Sequence, residues 1–196
     1  MNKYLISEVT VLRQIKSLQH RAQIIPLVLF GILFWCSLVF PRPLVFQILS
    51  VLSIGWYFGI ASSYRLRQKI VQPDEVSVYC PVSGKINSIK VSEGIRQITI
   101  HKGYLDPVEL RCPKTGCYWD GDDLLLDKPR LRFSFDAHRL IRIPEAEMKS
   151  GQVIALIPGT AVCNIRLPEH IPTLAKVNSD CEAGESRVTL PETALD

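Results

Sequence analysis

Residues 24–63 read IIPLVLFGILFWCSLVF-PRP-LVFQILSVLSIGWYFGIASS, two uncharged apolar runs (Ile24 to Phe40 and Leu44 to Ser63) parted only by Pro41-Arg42-Pro43. The first run has 17 residues, about 25 Å of helix, slightly short for a hydrocarbon core of roughly 30 Å. The second has 20 and is long enough. A secretory signal peptide has one apolar core and a cleavage site, with no second span. Amphipathic core helices of a soluble protein would show a polar face, and neither run does. The stretch predicts a two-helix transmembrane hairpin over 24–64.

Charge orients this hairpin. Lys3, Arg13, Lys16 and Arg21 precede it, Arg65, Arg67 and Lys69 follow it, and the connecting turn holds only Arg42. Lys and Arg accumulate on the cytoplasmic side of a span, so both termini and everything after the hairpin are expected in the cytoplasm. Residues 1–23 form a basic segment with Leu5, Val9, Leu12 and Ile15 at near-helical spacing. That spacing fits an interfacial helix on an anionic membrane surface and equally an ordinary solvated lead-in helix.

The net charge of +4 dissolves when the chain is divided. Residues 1–64 carry five Lys/Arg against Glu8 alone, so residues 65–196 are neutral, with 18 bases and 18 acids. A neutral domain without a basic stripe gathers no nucleic acid.

A basic linker, 65–75, leads into a different texture. Short β-type runs are cut by Gly and Pro: Val76 to Tyr79, Lys85 to Val91, Gln97 to His101, Val108 to Arg111, Leu131 to Phe135, Leu140 to Ile143, Val153 to Ile157, Val162 to Leu167 and Arg187 to Leu190. Turn signals at this spacing predict an all-β barrel or sandwich over 76–190, with a frayed tail at 191–196. Glu145 to Met148 is at most one helical turn.

Of six cysteines, Cys36 lies in the first apolar run and five (Cys80, Cys112, Cys117, Cys163, Cys181) fall in the β domain. In a reducing compartment these stay thiols. Cys112 and Cys117, with Cys80 or His101, are candidate zinc ligands, but no C-x-x-C pair supports them; buried thiols are the alternative. Asp120-Gly121-Asp122-Asp123 with Asp127 lacks calcium-loop spacing and reads as a solvated turn. His138 and Arg139, after a β run, are candidate contacts for a lipid phosphate. Leu190-Pro191-Glu192-Thr193-Ala194 has the look of a sortase signal, without the apolar tail one needs.

Cys80-Pro81-Val82-Ser83-Gly84 is echoed 32 residues on by Cys112-Pro113-Lys114-Thr115-Gly116. Two further turns, Lys149-Ser150-Gly151-Gln152 and Glu182-Ala183-Gly184-Glu185, have the form polar turn, Gly, polar. Such paired turns resemble barrel-sandwich hybrid domains, the β units of biotinyl and lipoyl carriers. A carrier modifies a Lys at a hairpin tip, and Lys85 and Lys114 do not stand in the usual setting. An adaptor domain of a larger membrane complex remains the reading that this resemblance allows. Related turns also occur in zinc endopeptidases, but His101, His138 and His170 are isolated.

A membrane hairpin, a basic link, Cys80-Pro81-Val82-Ser83-Gly84-Lys85-Ile86, the segment from Asp106 to Gly116, and the run from Lys149 to Val188 occur in this order. Together they resemble short-form, membrane-anchored phosphatidylserine decarboxylases, over most of the chain except Asp120 to Glu145. The family cuts its own chain before a Ser that becomes a pyruvoyl group, an electron sink for decarboxylation. The resemblance places that cut at Gly159-Thr160, where elimination from Thr would leave a bulkier 2-oxobutyryl group. It places the family's turn acid at Ser83 and its proton-transferring His at Val108, neither of which can do that work. Preserved turns with emptied chemistry imply a decarboxylase-like protein without catalysis, binding phospholipid or scaffolding a partner membrane protein. The alternative it implies is an active aminophospholipid decarboxylase that uses a Thr160-derived group.

Overall fold

The computed structural model describes residues 3–40, 43–65, 76–128, 130–143, 146 and 148–189. The chain divides into two compact units, 1–65 and 66–196.

The first unit is a pair of helices, α1 (Lys3–Val39) and α2 (Pro43–Ser63). Pro43 suits the first helical position, where no N–H bond is needed and its φ is already helical. Helix α1 is continuous, so the boundary expected at residue 23 is no break in structure. Pro26 is accommodated inside it, although its missing N–H leaves the Ala22 carbonyl without a helical donor. Both helices are long and apolar enough to cross a membrane, over Ile15–Val39 and Leu44–Ser63.

Polar groups lie between the helices. Ser53 Oγ donates to the Pro26 carbonyl at 2.7 Å, and Gln23 Nε2 to the Tyr57 carbonyl at 3.5 Å. Gln23, Ser50 and Ser53 are buried, while Trp35, Leu38, Val51 and Phe58 are each more than 60% exposed. Small Ser side chains let backbones approach, and a Ser–carbonyl bond is the polar link expected of helices surrounded by apolar medium. Only 11% of either apolar window is buried, whereas the core helix of a soluble protein is mostly buried.

The second unit is all-β among the described residues. Its strands are β1 (Gly84–Ser92), β2 (Ile95–Lys102), β3 (Glu109–Arg111), β4 (Tyr118–Asp120), β5 (Asp123–Leu126), β6 (Leu131–Ala137), β7 (Ile141–Arg142), β8 (Val153–Leu156), β9 (Ala161–Pro168) and β10 (Asp180–Cys181). Seven form one antiparallel sheet in the order β10-β1-β2-β9-β6-β5-β4, and three form a second, β3-β8-β7. No closed barrel is present among the described residues; the architecture is two antiparallel sheets sharing one core. Alternation builds that core: Ile98 and Ile100 of β2, Cys163, Ile165 and Leu167 of β9, and Leu131 and Phe133 of β6 all point inward. Strand β8 is buried along its whole length, which is why it reads as a continuous apolar run rather than an alternating one.

The structure corrects several expected elements. Val76 to Tyr79 and Arg187 to Thr189 form no strands; Tyr79 and Arg187 meet in a single bridge. Asp120 to Asp123 is a β-hairpin turn between β4 and β5, strands that the acidic cluster concealed, with Gly121 at φ +55°. The expected membrane turn at Pro41-Arg42, the linker from Leu66 to Glu75, part of the Glu145 to Met148 turn, and the segment from Leu190 onward lie outside the described residues.

The 32-residue echo is a structural one. Tyr79 N–H donates to the Pro113 carbonyl at 3.0 Å, and Arg111 N–H donates to the Pro81 carbonyl at 2.8 Å. Each Cys-Pro turn thus closes the other, by bonds between matching positions. Each is also met by a glycine turn with positive φ: Gly184 N–H reaches the Cys80 carbonyl and Gly151 N–H the Cys112 carbonyl, both at 2.8 Å.

Candidate functional site

Three neighbouring strands end together. In register, Ala161 at the start of β9 faces Lys102 at the end of β2 on one side and Ala137 at the end of β6 on the other. The loops that leave this end are Gly103 to Val108, His138 to Leu140, and the turn Pro158-Gly159-Thr160.

Lys102 holds two of these loops together. The alternation Ile98, Ile100, Lys102 turns its side chain inward, and it is 2% exposed. Its Nζ donates to the carbonyls of Gly159 at 2.7 Å, Asp106 at 3.1 Å and Gly103 at 3.4 Å. All three ammonium hydrogens therefore have an acceptor. Asp106 Oδ2 accepts the Gly103 N–H at 2.6 Å and folds the loop over. Burial pushes the Lys102 pKa below its ordinary value, opposed by the negative charges of Asp106 and Glu109. Gly84, beside it on β1, must lack a side chain: a Cβ there would collide with the His101 carbonyl oxygen and lie 3.0 Å from Lys102 Cα.

The sequence-predicted residues fall around this end unequally. Gly159 is half-buried with φ +80°, and Thr160 is exposed. Among the described residues the Thr160 hydroxyl has no hydrogen-bond partner. Val108 is fully buried, and its carbonyl accepts the Ile157 N–H at 2.7 Å. Ser83 is buried, with its Oγ accepting the Ala183 N–H at 3.0 Å. It braces the Gly184 turn, a structural duty. His138 and Arg139 are exposed at the β6 exit. Tyr104 and Leu105, at the tip of the neighbouring loop, are 44% and 65% exposed. Lys85 lies within β1 and pairs with His101, whereas Lys114 is in the second Cys-Pro turn. Neither stands at a hairpin tip between paired strands, as a carrier lysine does.

The zinc candidates do not converge. Cys112 contacts Cys117, Cys80 contacts Cys181, and His101 lies on the outward face of β2. Among the described residues no group of three His, Cys, Asp or Glu side chains is placed to hold a metal ion. Within each thiol pair, the shared hydrogen bond divides acidity. Cys117 and Cys181 are lowered by a donated S–H, while Cys112 and Cys80 are pushed up by the same bond and by burial. Cys163 is pushed up first by burial and then by the neighbouring Cys181 charge.

Sequence reasoning missed Lys102 and the Tyr104-Leu105 tip. Strand parity was the available signal for Lys102. An apolar dipeptide just past a strand end was the signal for the tip. Comparison with protein-family models, curated proteins and solved structures finds no match to this chain.

Proposed function

We propose that this chain is a membrane-tethered, phosphatidylserine decarboxylase-like protein without decarboxylase chemistry, whose β domain meets phospholipid headgroups. The observation that carries the lipid reading is the shared loop end, where exposed Tyr104 and Leu105 stand beside the exit bearing His138 and Arg139. An aromatic and an aliphatic side chain enter the interfacial layer while cations meet lipid phosphate. Helices α1 and α2 provide the tether, and the Lys/Arg excess at both ends of the pair favours a cytoplasmic β domain. The reciprocal Cys-Pro turns support a barrel-sandwich-hybrid plan, the plan the family resemblance implies. Ser83 and Val108, both packed into the fold, support the absence of catalysis.

The full chain in nanodiscs tests this. Amide exchange over residues 103–107 and 138–140 should slow when phosphatidylserine is added to a zwitterionic bilayer. The double change His138→Ala, Arg139→Ala should remove that difference. Identical exchange in both bilayers would sink the lipid reading and leave a scaffold for a partner membrane protein, to be sought by copurification in mild detergent.

One observation favours a second reading, an active decarboxylase processed at Gly159-Thr160. The Lys102 ammonium lies on the Gly159 carbonyl, where it would stabilise an oxyanion as the Thr160 hydroxyl attacked. A denaturing gel of mature membranes separates the two. An intact chain rules out processing, and a fragment beginning at a blocked residue 160 rules out the non-enzymatic reading.

A further inference from the structure

Alternate residues of β2, β9 and β6 build the core, and the residues between them form the outer face of the seven-stranded sheet. Register lays one row of long donors across that face. Lys90 on β1 pairs with Gln97 on β2, Gln97 with Arg166 on β9, and Arg166 with Arg132 on β6. Neighbouring strands lie about 4.8 Å apart, which makes the row about 14 Å long. Lys90, Arg166 and Arg132 are all exposed.

Arg132 and Arg166 are direct cross-strand partners of like charge, an arrangement that weakens a sheet. Surplus bases do not account for it, because residues 65–196 hold 18 of each sign. Asp123 compensates only one of the two. Its Oδ2 accepts from Arg132 Nε at 2.6 Å and also pairs with Nη2. That fixes the Arg132 guanidinium and leaves Nη1 without a partner among the described residues. Arg166 makes no ion pair among the described residues.

The adjoining row is set in place as well. Asn164 stands two residues before Arg166 on the same face, and its Oδ1 accepts from Gln97 Nε2 at 3.1 Å and Thr99 Oγ1 at 3.0 Å. Both donors belong to β2, so the Asn164 oxygen is held on that side and its Nδ2 is turned away from β2. On the β6 side Ser134 is the register partner of Asn164. Asn164, Arg166, Arg132 and Ser134 thus mark the corners of a donor-rich patch of about 5 Å by 7 Å.

We propose that these four residues form a seat for a phosphate monoester dianion carried by a soluble molecule, with Lys90 adding charge at the rim. Arg132, Arg166 and Lys90 against Asp123 leave two positive charges, which match the dianion. Its three outer oxygens accept from guanidinium, amide and hydroxyl donors set around them, whereas a carboxylate offers two oxygens and one charge. The seat lies away from the loop end. Arg166 is five residues along β9 from Ala161, about 17 Å, so a bilayer met by Tyr104 and Leu105 does not present its headgroups there. The soluble source therefore rests on the lipid reading of that end, while the seat rests on the sheet register.

The full chain, labelled with ¹⁵N-arginine in zwitterionic nanodiscs, is titrated with glycerol 3-phosphate well above the second phosphate pKa of about 6. The Arg132 and Arg166 Nε–H resonances should move along one saturable curve. Read at Arg132, Arg166→Gln should weaken binding at least about tenfold, the loss of a charge-assisted hydrogen bond. Lys176→Gln, the same charge change on an exposed loop, should alter it by about twofold or less. No saturation by about 10 mM, or equal losses in the two variants, overturns the seat. Acetate binding as tightly overturns the phosphate class. Phosphatidic acid added to the disc carries the same monoester on a bilayer and should leave both resonances in place; movement there overturns the soluble source. This titration reads residues 132 and 166, and the lipid test reads 103–107 and 138–140, so either can fail alone.

Discussion

The Lys102 ammonium donates to the Gly159 carbonyl across 2.7 Å and fixes the turn before β9 to the loop after β2. Its removal takes the donor from three part-buried carbonyls. Lys102→Met should cost about 2 kcal/mol, the order expected when buried acceptors lose their donor, measured by denaturant unfolding of the full chain in detergent. Linkage gives this cost a pH signature. The folded pKa of Lys102 lies below its unfolded value, so between the two the unfolded chain holds the extra proton and wild-type stability rises with pH. The gap between wild type and Lys102→Met should therefore widen as pH approaches the ordinary lysine range. A gap that narrows would mean that burial does not lower this group.

Glu109 and Arg111 form a buried ion pair at 3.2 Å, with Arg111 Nη1 also donating to the Gly151 carbonyl at 2.9 Å. Glu109→Ala takes the Glu109 carboxylate away from a buried guanidinium. We expect a loss of about 3–5 kcal/mol, whereas the double change Glu109→Leu, Arg111→Met should cost much less. Equal costs for the two, read from unfolding midpoints, would show that the pair contributes more than its mutual compensation.

Gly84→Ala tests the close approach of β1 to β2. The added methyl meets backbone, the His101 carbonyl, rather than a side chain that can swing away. A loss of about 1–3 kcal/mol follows from overpacking against atoms that cannot yield. Gly94→Ala is the comparison: its Cβ would meet open space, but its φ of +73° carries a strain cost of its own. Both should destabilise, and only Gly84→Ala should shift the β1–β2 amide resonances along several residues.

In the helix pair, Ser53→Ala deletes the bond to the Pro26 carbonyl but keeps the small volume. The cost should be about 0.6 kcal/mol, as for other hydrogen bonds between helices in apolar surroundings. Ser53→Leu removes the bond and wedges the helices apart, so it should cost clearly more. Intramolecular cross-linking of engineered cysteines on the two helices would report both, and equal effects would show that close packing contributes nothing.

The helices and the longer strands were legible because their periodicities were uninterrupted. Leu44 to Ser63 and Val162 to Leu167 each emerged within a residue or so of their observed bounds. Strands β4 and β5 were not, since Asp120, Asp122 and Asp123 drew attention to charge, while the buried Leu124 and Leu126 that hold the hairpin alternate over only four residues. The terminal segment Arg187 to Thr189 has β composition but makes only single bridges, Arg187 with Tyr79 and Thr189 with Thr173; the Val188 N–H to Val78 carbonyl bond belongs to the first. For the candidate site, Gly159 and Thr160 were named through the family resemblance, and His138 and Arg139 through the strand pattern. That pattern could not reveal that Lys102 faces inward until the register of β2 was fixed by Ile98 and Ile100. The pairing of Cys80 with Cys181 was equally hidden, as it depends on β1 meeting β10 across the length of the domain.

The bonds that close the first Cys-Pro turn carry a consequence for how the chain is made. Cys80 N–H is satisfied by the Ser186 carbonyl, and the Val78 carbonyl by Val188 N–H. During synthesis the apolar helices leave the ribosome first, and the opening residues of the β domain must then wait for nearly all of the remainder. The helix pair is thus complete while the domain still lacks its closing partners. A chain that stops short of Ser186 would leave the Cys80 N–H and the Val78 carbonyl without these partners, a target for quality-control proteases rather than a shortened working protein.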